Sequence, residues 1–153
     1  MRREGFTLLE LAIVLSIIVI LILIAIPSFV HYTNQEIEVY ARELAEDLVW
    51  ARFSAINNGV YYKVELWPGK MEKKWEYRII EGNGMKVVKK GIFQNGVHIL
   101  NVNFPGWGNE VYFYPNGSPS SGGTVTIWMK SGNIIYVKIE PVVGRVRVTR
   151  EDN

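Results

Sequence analysis

The chain has no cysteine. Disulfides, thiolate metal ligands and cysteine nucleophiles are therefore excluded, although an exported domain needs none of them. Histidine is nearly as scarce: His31 and His98 stand alone and offer no ligand or catalytic constellation. Serines gather in loops, and glycine runs such as Gly82-Asn83-Gly84 lack the spacing of a phosphate-binding loop. The pattern predicts no enzyme, no cofactor and no metal site. Internal repeats and low-complexity segments are missing too, and Pro119-Ser120-Ser121-Gly122-Gly123 is a loop rather than a linker. Cations are absent over a long stretch, since no Lys or Arg follows Arg3 until Arg42.

That gap is filled by an apolar run. From Phe6 to Ile26 the only charge is Glu10, and the only hydroxyls are Thr7 and Ser16. As a helix rising ~1.5 Å per residue, this run reaches roughly 30 Å, the thickness of a bilayer's hydrocarbon core. A cleaved secretory signal would end on small residues of the Ala-x-Ala kind, and Leu23-Ile24-Ala25-Ile26-Pro27-Ser28 does not fit. A plain single-pass anchor accounts for the length but not for Glu10, whose carboxylate is costly in hydrocarbon. Arg2 and Arg3 ahead of the run put the N-terminus in the cytoplasm and the rest outside it.

Beyond Pro27, which breaks one backbone bond and predicts a kink, Ile37, Ala41, Leu44, Leu48, Ala51 and Ala55 recur at helical spacing. Glu36, Glu38, Arg42, Glu43, Glu46, Asp47 and Arg52 lie between them. The helix is expected to run to about Asn58, where Gly59 supplies a stop. From Val60 the period changes to two. About eight short strands are predicted: Val60–Leu66, Trp75–Glu81, Met85–Lys89, Val97–Phe104, Glu110–Tyr114, Thr124–Met129, Ile134–Ile139 and Val142–Thr149. The fold class is α+β: a long N-terminal helix, transmembrane then amphipathic, packed on an antiparallel sheet or two-sheet domain. The expected organisation is a leader at 1–5, a transmembrane and assembly helix at 6–27, its amphipathic half at 28–58, and a β-rich domain at 59–153 packed on 28–58.

Gly5-Phe6-Thr7-Leu8-Leu9-Glu10, after a short basic leader and before an unbroken apolar run, resembles the GFTLxE motif of type IV pilins and type II secretion pseudopilins. The resemblance implies cleavage by a prepilin peptidase between Gly5 and Phe6, N-methylation of Phe6, and retention of the helix in the inner membrane. It implies assembly with other pilin or pseudopilin subunits into a filament. It also implies that Glu10 meets the free N-terminal amine of a neighbouring subunit. Snorkelling to the cytoplasmic interface is the alternative for this side chain, and both can hold at different stages. More loosely, the helix stripe, Phe113, Pro115-Asn116-Gly117, Thr124-Val125-Thr126-Ile127 and Gly144-Arg145-Val146-Arg147-Val148 resemble the GspH/FimT minor pilin and pseudopilin family. The chain lacks the acidic calcium loop of major pseudopilins and the C-terminal cysteine pair common in major pilins. It is thus read as a minor subunit acting in filament initiation or at the tip, and in protein export. Whether it serves secretion or a pilus stays open.

One sharper alternative lies at the C-terminus. Arg145 and Arg147 fall on one side of a strand, with Arg150 just beyond. Guanidinium groups suit phosphates, and some members of the pilus branch bind DNA for uptake through such a stretch. A DNA-binding minor pilin for natural transformation is the alternative function. An ordinary strand with solvated arginines is the plainer reading, and a net charge of +2 gives no general push toward nucleic acid. The lysines at 70, 73, 74, 86, 89 and 90 are expected at solvated hairpin ends. Trp107, between Gly106 and Gly108, is either a partner contact or a lid over the core.

Overall fold

The structure is a computed structural model. It describes residues 7–68, 76–82, 85–94 and 96–150, and of residues 24–34 the backbone only. One helix, α1 (Leu8–Asn58), is followed by eight strands: β1 (Tyr62–Leu66), β2 (Tyr77–Glu81), β3 (Lys86–Gly91), β4 (Val97–Asn103), β5 (Glu110–Phe113), β6 (Gly123–Met129), β7 (Ile134–Ile139) and β8 (Val146–Thr149). The chain divides into two compact units, Met1–Gln35 and Glu36–Asn153.

In the first unit α1 carries its apolar run with every described side chain from Thr7 to Leu23 exposed. Such a continuous apolar surface marks a site for contact with lipid or protein. Among the described residues no helix is long and apolar enough to cross a membrane. The side chains of the run are described only as far as Leu23.

In the second unit α1 ends where Gly59 turns to φ 67° and its N–H returns to the Ala55 carbonyl, a left-handed helix stop. The predicted stripe is the core face: Ile37, Ala41, Leu44, Leu48, Ala51 and Ala55 are all buried. They meet two antiparallel four-stranded sheets in one apolar cluster. The first sheet has the order β3-β2-β1-β5 and the second β4-β6-β7-β8. Period-two alternation is clearest on β6 and β7. There Val125 opposes Val137 and Ile127 opposes Ile135, all inward, while Thr124, Thr126 and Trp128 face the other way.

Three of the four edge strands, β5, β4 and β3, are guarded. The backbone of β5 is covered by the segment after the Pro115-Asn116-Gly117 turn, with the Ser120 N–H on the Tyr112 carbonyl at 2.7 Å. β4 carries an irregularity between Ile99 and Asn101, which leaves Leu100 exposed. β3 presents Lys86, Lys89 and Lys90.

The predicted strand Val142–Thr149 is shorter than expected. Only Val146–Thr149 pairs with β7, because Pro141–Gly144 forms a turn. Its Val143 N–H closes on the Pro141 carbonyl at 2.8 Å with Val142 at φ 69°. This is a γ-turn of the strained hand with a β-branched residue at its centre.

Candidate functional site

The helix start is built by two side chains. The Glu10 N–H donates to Thr7 Oγ1 at 3.2 Å, while the Thr7 N–H and hydroxyl each donate to Glu10 Oε2 at 3.1 Å. This reciprocal capping box satisfies helix-end donors that would otherwise be orphaned, and it sets a carboxylate at the positive end of the helix dipole. Its signature, Thr-x-x-Glu ahead of an apolar run, stands in the sequence. The GFTLxE reading alone does not bring it out. Ser16, the other hydroxyl of the run, donates to the Ala12 carbonyl at 2.7 Å. The polar groups of this stretch therefore find partners inside one chain. Gly5 and Phe6 lie outside the described residues.

At the C-terminus Arg145 and Arg147 share a single carboxylate. Arg147 Nη2 is 2.6 Å from Glu140 Oε1, and Arg145 Nε is 3.8 Å from Glu140 Oε2. Arg150 points elsewhere and reaches Glu38 Oε2 at 3.0 Å, a carboxylate it shares with Arg42. The hydrogen bonds from Arg42 and then Arg150 hold the Glu38 carboxyl below the usual range. The first two arginines thus form one cluster, and the third ties the end of β8 to α1. Gly144 has a packing reason. It is buried at φ 65°, and a Cβ there would lie 3.2 Å from Arg52 Nε and from the Gly117 carbonyl. Arg52 Nε donates to that same carbonyl at 2.8 Å. The Asn-Gly turn, Gly144 and the helix thereby meet at one point.

Two acidic residues, Asp47 and Glu65, are buried. Asp47 accepts the Tyr77 hydroxyl at 2.8 Å and pairs with Lys89, which is not the free hairpin-end lysine expected. Burial, and then Asp47, pushes the Tyr77 hydroxyl far above its ordinary value. The signal was Asp47's place three residues after Leu44 and four before Ala51, on the shoulder of the core stripe. Glu65 takes both Lys63 and Arg78. Burial alone would raise its carboxyl, but the hydrogen bonds from Arg78 and Lys63 outweigh that and hold it below the usual range. Lys63 mirrors it: burial opposes its charge, and Glu65 restores and raises it.

Trp107 is not a lid over the core. Its ring lies 5.1 Å from that of Tyr112, and the Tyr112 ring lies 6.0 Å from that of Tyr61. Tyr112 alternates with the buried Val111 and Phe113, so this row covers the outer side of the first sheet. Among the described residues no three His, Cys, Asp or Glu gather as a metal site.

Comparison with known proteins bears on the start of the chain and on its fold. Residues 1–26 match the family model described as the prokaryotic N-terminal methylation motif. The chain is 63% identical over 35 residues to the type IV narrow pilus major component PilA5 of Thermus thermophilus; the match covers 23% of this chain and 30% of that protein. By fold, it is similar to the minor pseudopilin EpsH of the Vibrio cholerae type 2 secretion system, with TM-score 0.59 and 13% identity over 77% of this chain and 99% of that one. It is also similar to the type IV minor pilin FimU of Pseudomonas aeruginosa, with TM-score 0.55 and 18% identity over 78% of this chain and 90% of that one. The chain thus carries the prokaryotic N-terminal methylation motif over residues 1–26 and shares the fold of EpsH and FimU, a helix packed on two antiparallel sheets.

Proposed function

We propose that this protein is a minor pseudopilin or pilin of the GspH/FimT type, a non-enzymatic subunit that helps to initiate or tip a short filament. The observation that carries this reading is the pairing of the methylation motif at residues 1–26 with the two-sheet fold. In this reading a prepilin peptidase cuts between Gly5 and Phe6 and Phe6 is N-methylated. The apolar stretch of α1 anchors the subunit in the inner membrane with its N-terminus cytoplasmic and the β-domain outside. The same stretch then becomes the assembly surface. Within one chain Glu10 serves the cap with Thr7; in the filament it pairs with a neighbour's terminal amine and fixes register. The solved relatives include one protein of a secretion system and one of a pilus, so both filament types remain open to this chain. Mass spectrometry of the chain from cells with an active peptidase is the test. N-methylated Phe6 as the first residue is expected, and an intact Met1 would refute the reading.

A second reading, DNA uptake, is favoured by one observation: Arg145 and Arg147 converge on one anionic group, Glu140. A phosphate would have to displace that carboxylate. In low salt the full chain in detergent is expected to retard duplex DNA, with Arg145→Ala plus Arg147→Ala abolishing the shift. No retardation by the parent chain disposes of the idea.

A further inference from the structure

Two apolar patches of the second unit are exposed, and their charges are opposite. One is the turn between β7 and β8. Val142 is 83% exposed and Val143 54%, on a γ-turn whose centre holds a β-branched residue at φ 69°. Glycine would take that conformation without strain, so this turn keeps an apolar side chain outward against its backbone preference. The turn is firmly based. The Gly144 N–H bonds the Glu140 carbonyl at 3.0 Å, the Glu140 N–H bonds the Arg145 carbonyl at 2.8 Å, and Gly144 is wedged beside Arg52 and Gly117. Around its base stand Arg145 and Arg147 with Glu140 between them, two cations to one carboxylate among the described residues.

The other patch is the outward face of α1. Val39, Glu43, Glu46, Trp50 and Phe53 follow one another at helical spacing, all exposed, opposite the buried stripe. Val39 is 60% exposed, Trp50 42% and Phe53 54%, and the two carboxylates lie between them. The tip is an apolar knob with a cationic rim, and the helix face is an apolar strip with Glu43 and Glu46 at its centre and Arg42, paired with Glu38, at its border.

We propose that the Val142–Val143 tip of one copy docks on the Val39–Phe53 face of a second copy, with Arg145 and Arg147 set against Glu43 and Glu46. The occupant is a second copy because the chain itself carries both halves of a charge-matched pair. The two halves are different surfaces, so the contact is head-to-tail and leaves one tip and one face open at the ends. Such a heterologous contact continues from copy to copy, as along a filament, unless its rotation closes a ring. The proposal rests on the filament reading and goes beyond it: the chain sits at its place in the filament as a pair or short run.

The absence of cysteine makes the test clean. Full chains in detergent, one bearing Val142→Cys and the other Val39→Cys or Phe53→Cys, are mixed and oxidised. The docked pair is expected to give mixed disulfide at least about tenfold above a control in which Met85→Cys, exposed on neither patch, replaces the helix cysteine. Val143→Cys stands in if Val142→Cys does not fold. Arg145→Glu with Arg147→Glu on the tip copy should abolish the excess, and Glu43→Lys with Glu46→Lys on the other copy should restore it. A yield equal to the Met85 control, or no rescue by the double reversal, overturns the contact. Co-purification of the parent chain with sheared filaments is scored separately. A chain that enters filaments without the disulfide keeps the filament reading and loses this contact.

Discussion

Glu65 shows how a single residue sets a pH limit. Its carboxyl titrates below the ordinary value of 4.5 in the folded chain because Arg78 and Lys63 bond to it. A depressed folded value means its stabilisation is full above that ordinary value and is lost as pH falls through the folded one. Glu65→Gln, which leaves two cations around a neutral amide, is expected to cost about 3 kcal/mol at neutral pH. Its denaturation free energy should also fall less between pH 5 and pH 3 than the parent's; parallel acid limbs would refute the assignment. Gly91 sets a steric limit. A Cβ there would sit 1.9 Å from the Tyr77 ring across the β2–β3 pair. The ring cannot swing away freely, because its hydroxyl is held by Asp47 at 2.8 Å. Gly91→Ala is therefore expected to lose about 3 kcal/mol by overpacking, whereas Tyr77→Phe loses about 1–2 kcal/mol by leaving Asp47 short of a donor. Urea titration of both variants ranks them.

At the scale of elements, α1 has two faces with different consequences. Leu48 is wholly buried in the core cluster, and Leu48→Ala should cost about 3 kcal/mol through lost transfer and the cavity left behind. Val39 is exposed, and Val39→Ala should change stability by no more than about 0.5 kcal/mol. Equal losses at the two positions would contradict the packing described. The start of the helix depends on its cap. Thr7→Ala removes the acceptor for the Glu10 N–H and one donor to Glu10. It should cost about 1 kcal/mol of local helix stability. Faster amide exchange confined to the first turn, in a membrane mimetic, is the measurement that checks it. The element pattern itself was largely legible. The stripe from Ile37 to Ala55 announced the core face, and the strands from β4 to β7 lie within a residue of their alternating runs. Illegible was the turn at Pro141–Gly144. Val142 and Val143 have high β propensity, and only the docking of Gly144 beside Arg52 and Gly117 bends the chain there.

For the whole molecule, the two compact units predict separable behaviour. A chain beginning at Glu36 retains the stripe, both sheets and the Asp47 and Glu65 pairs. It is expected to fold alone and unfold in one cooperative step by circular dichroism; a molten β signal would show that the first unit is needed. The order β3-β2-β1-β5 beside β4-β6-β7-β8 is a property of this scale. Hairpins such as β6–β7 follow from short turns, but β1 meets β5 across three intervening strands and the partners are far apart in sequence. Nothing local encodes that choice.

By itself the sequence determined what depends on neighbours along the chain. It specified the methylation motif of residues 1–26, the apolar run with Glu10, the helix stripe, and the alternating strands with their turns. These are readable because capping, periodicity and turn chemistry act over a few residues. Tertiary structure alone decided the pairing of β1 with β5, the burial of Asp47 and Glu65, and the convergence of Arg145 and Arg147 on Glu140. A charged side chain enters an interior only where distant residues supply its partners. Tyr77 and Lys89 reach Asp47, and Arg78 reaches Glu65, only after the sheets have formed.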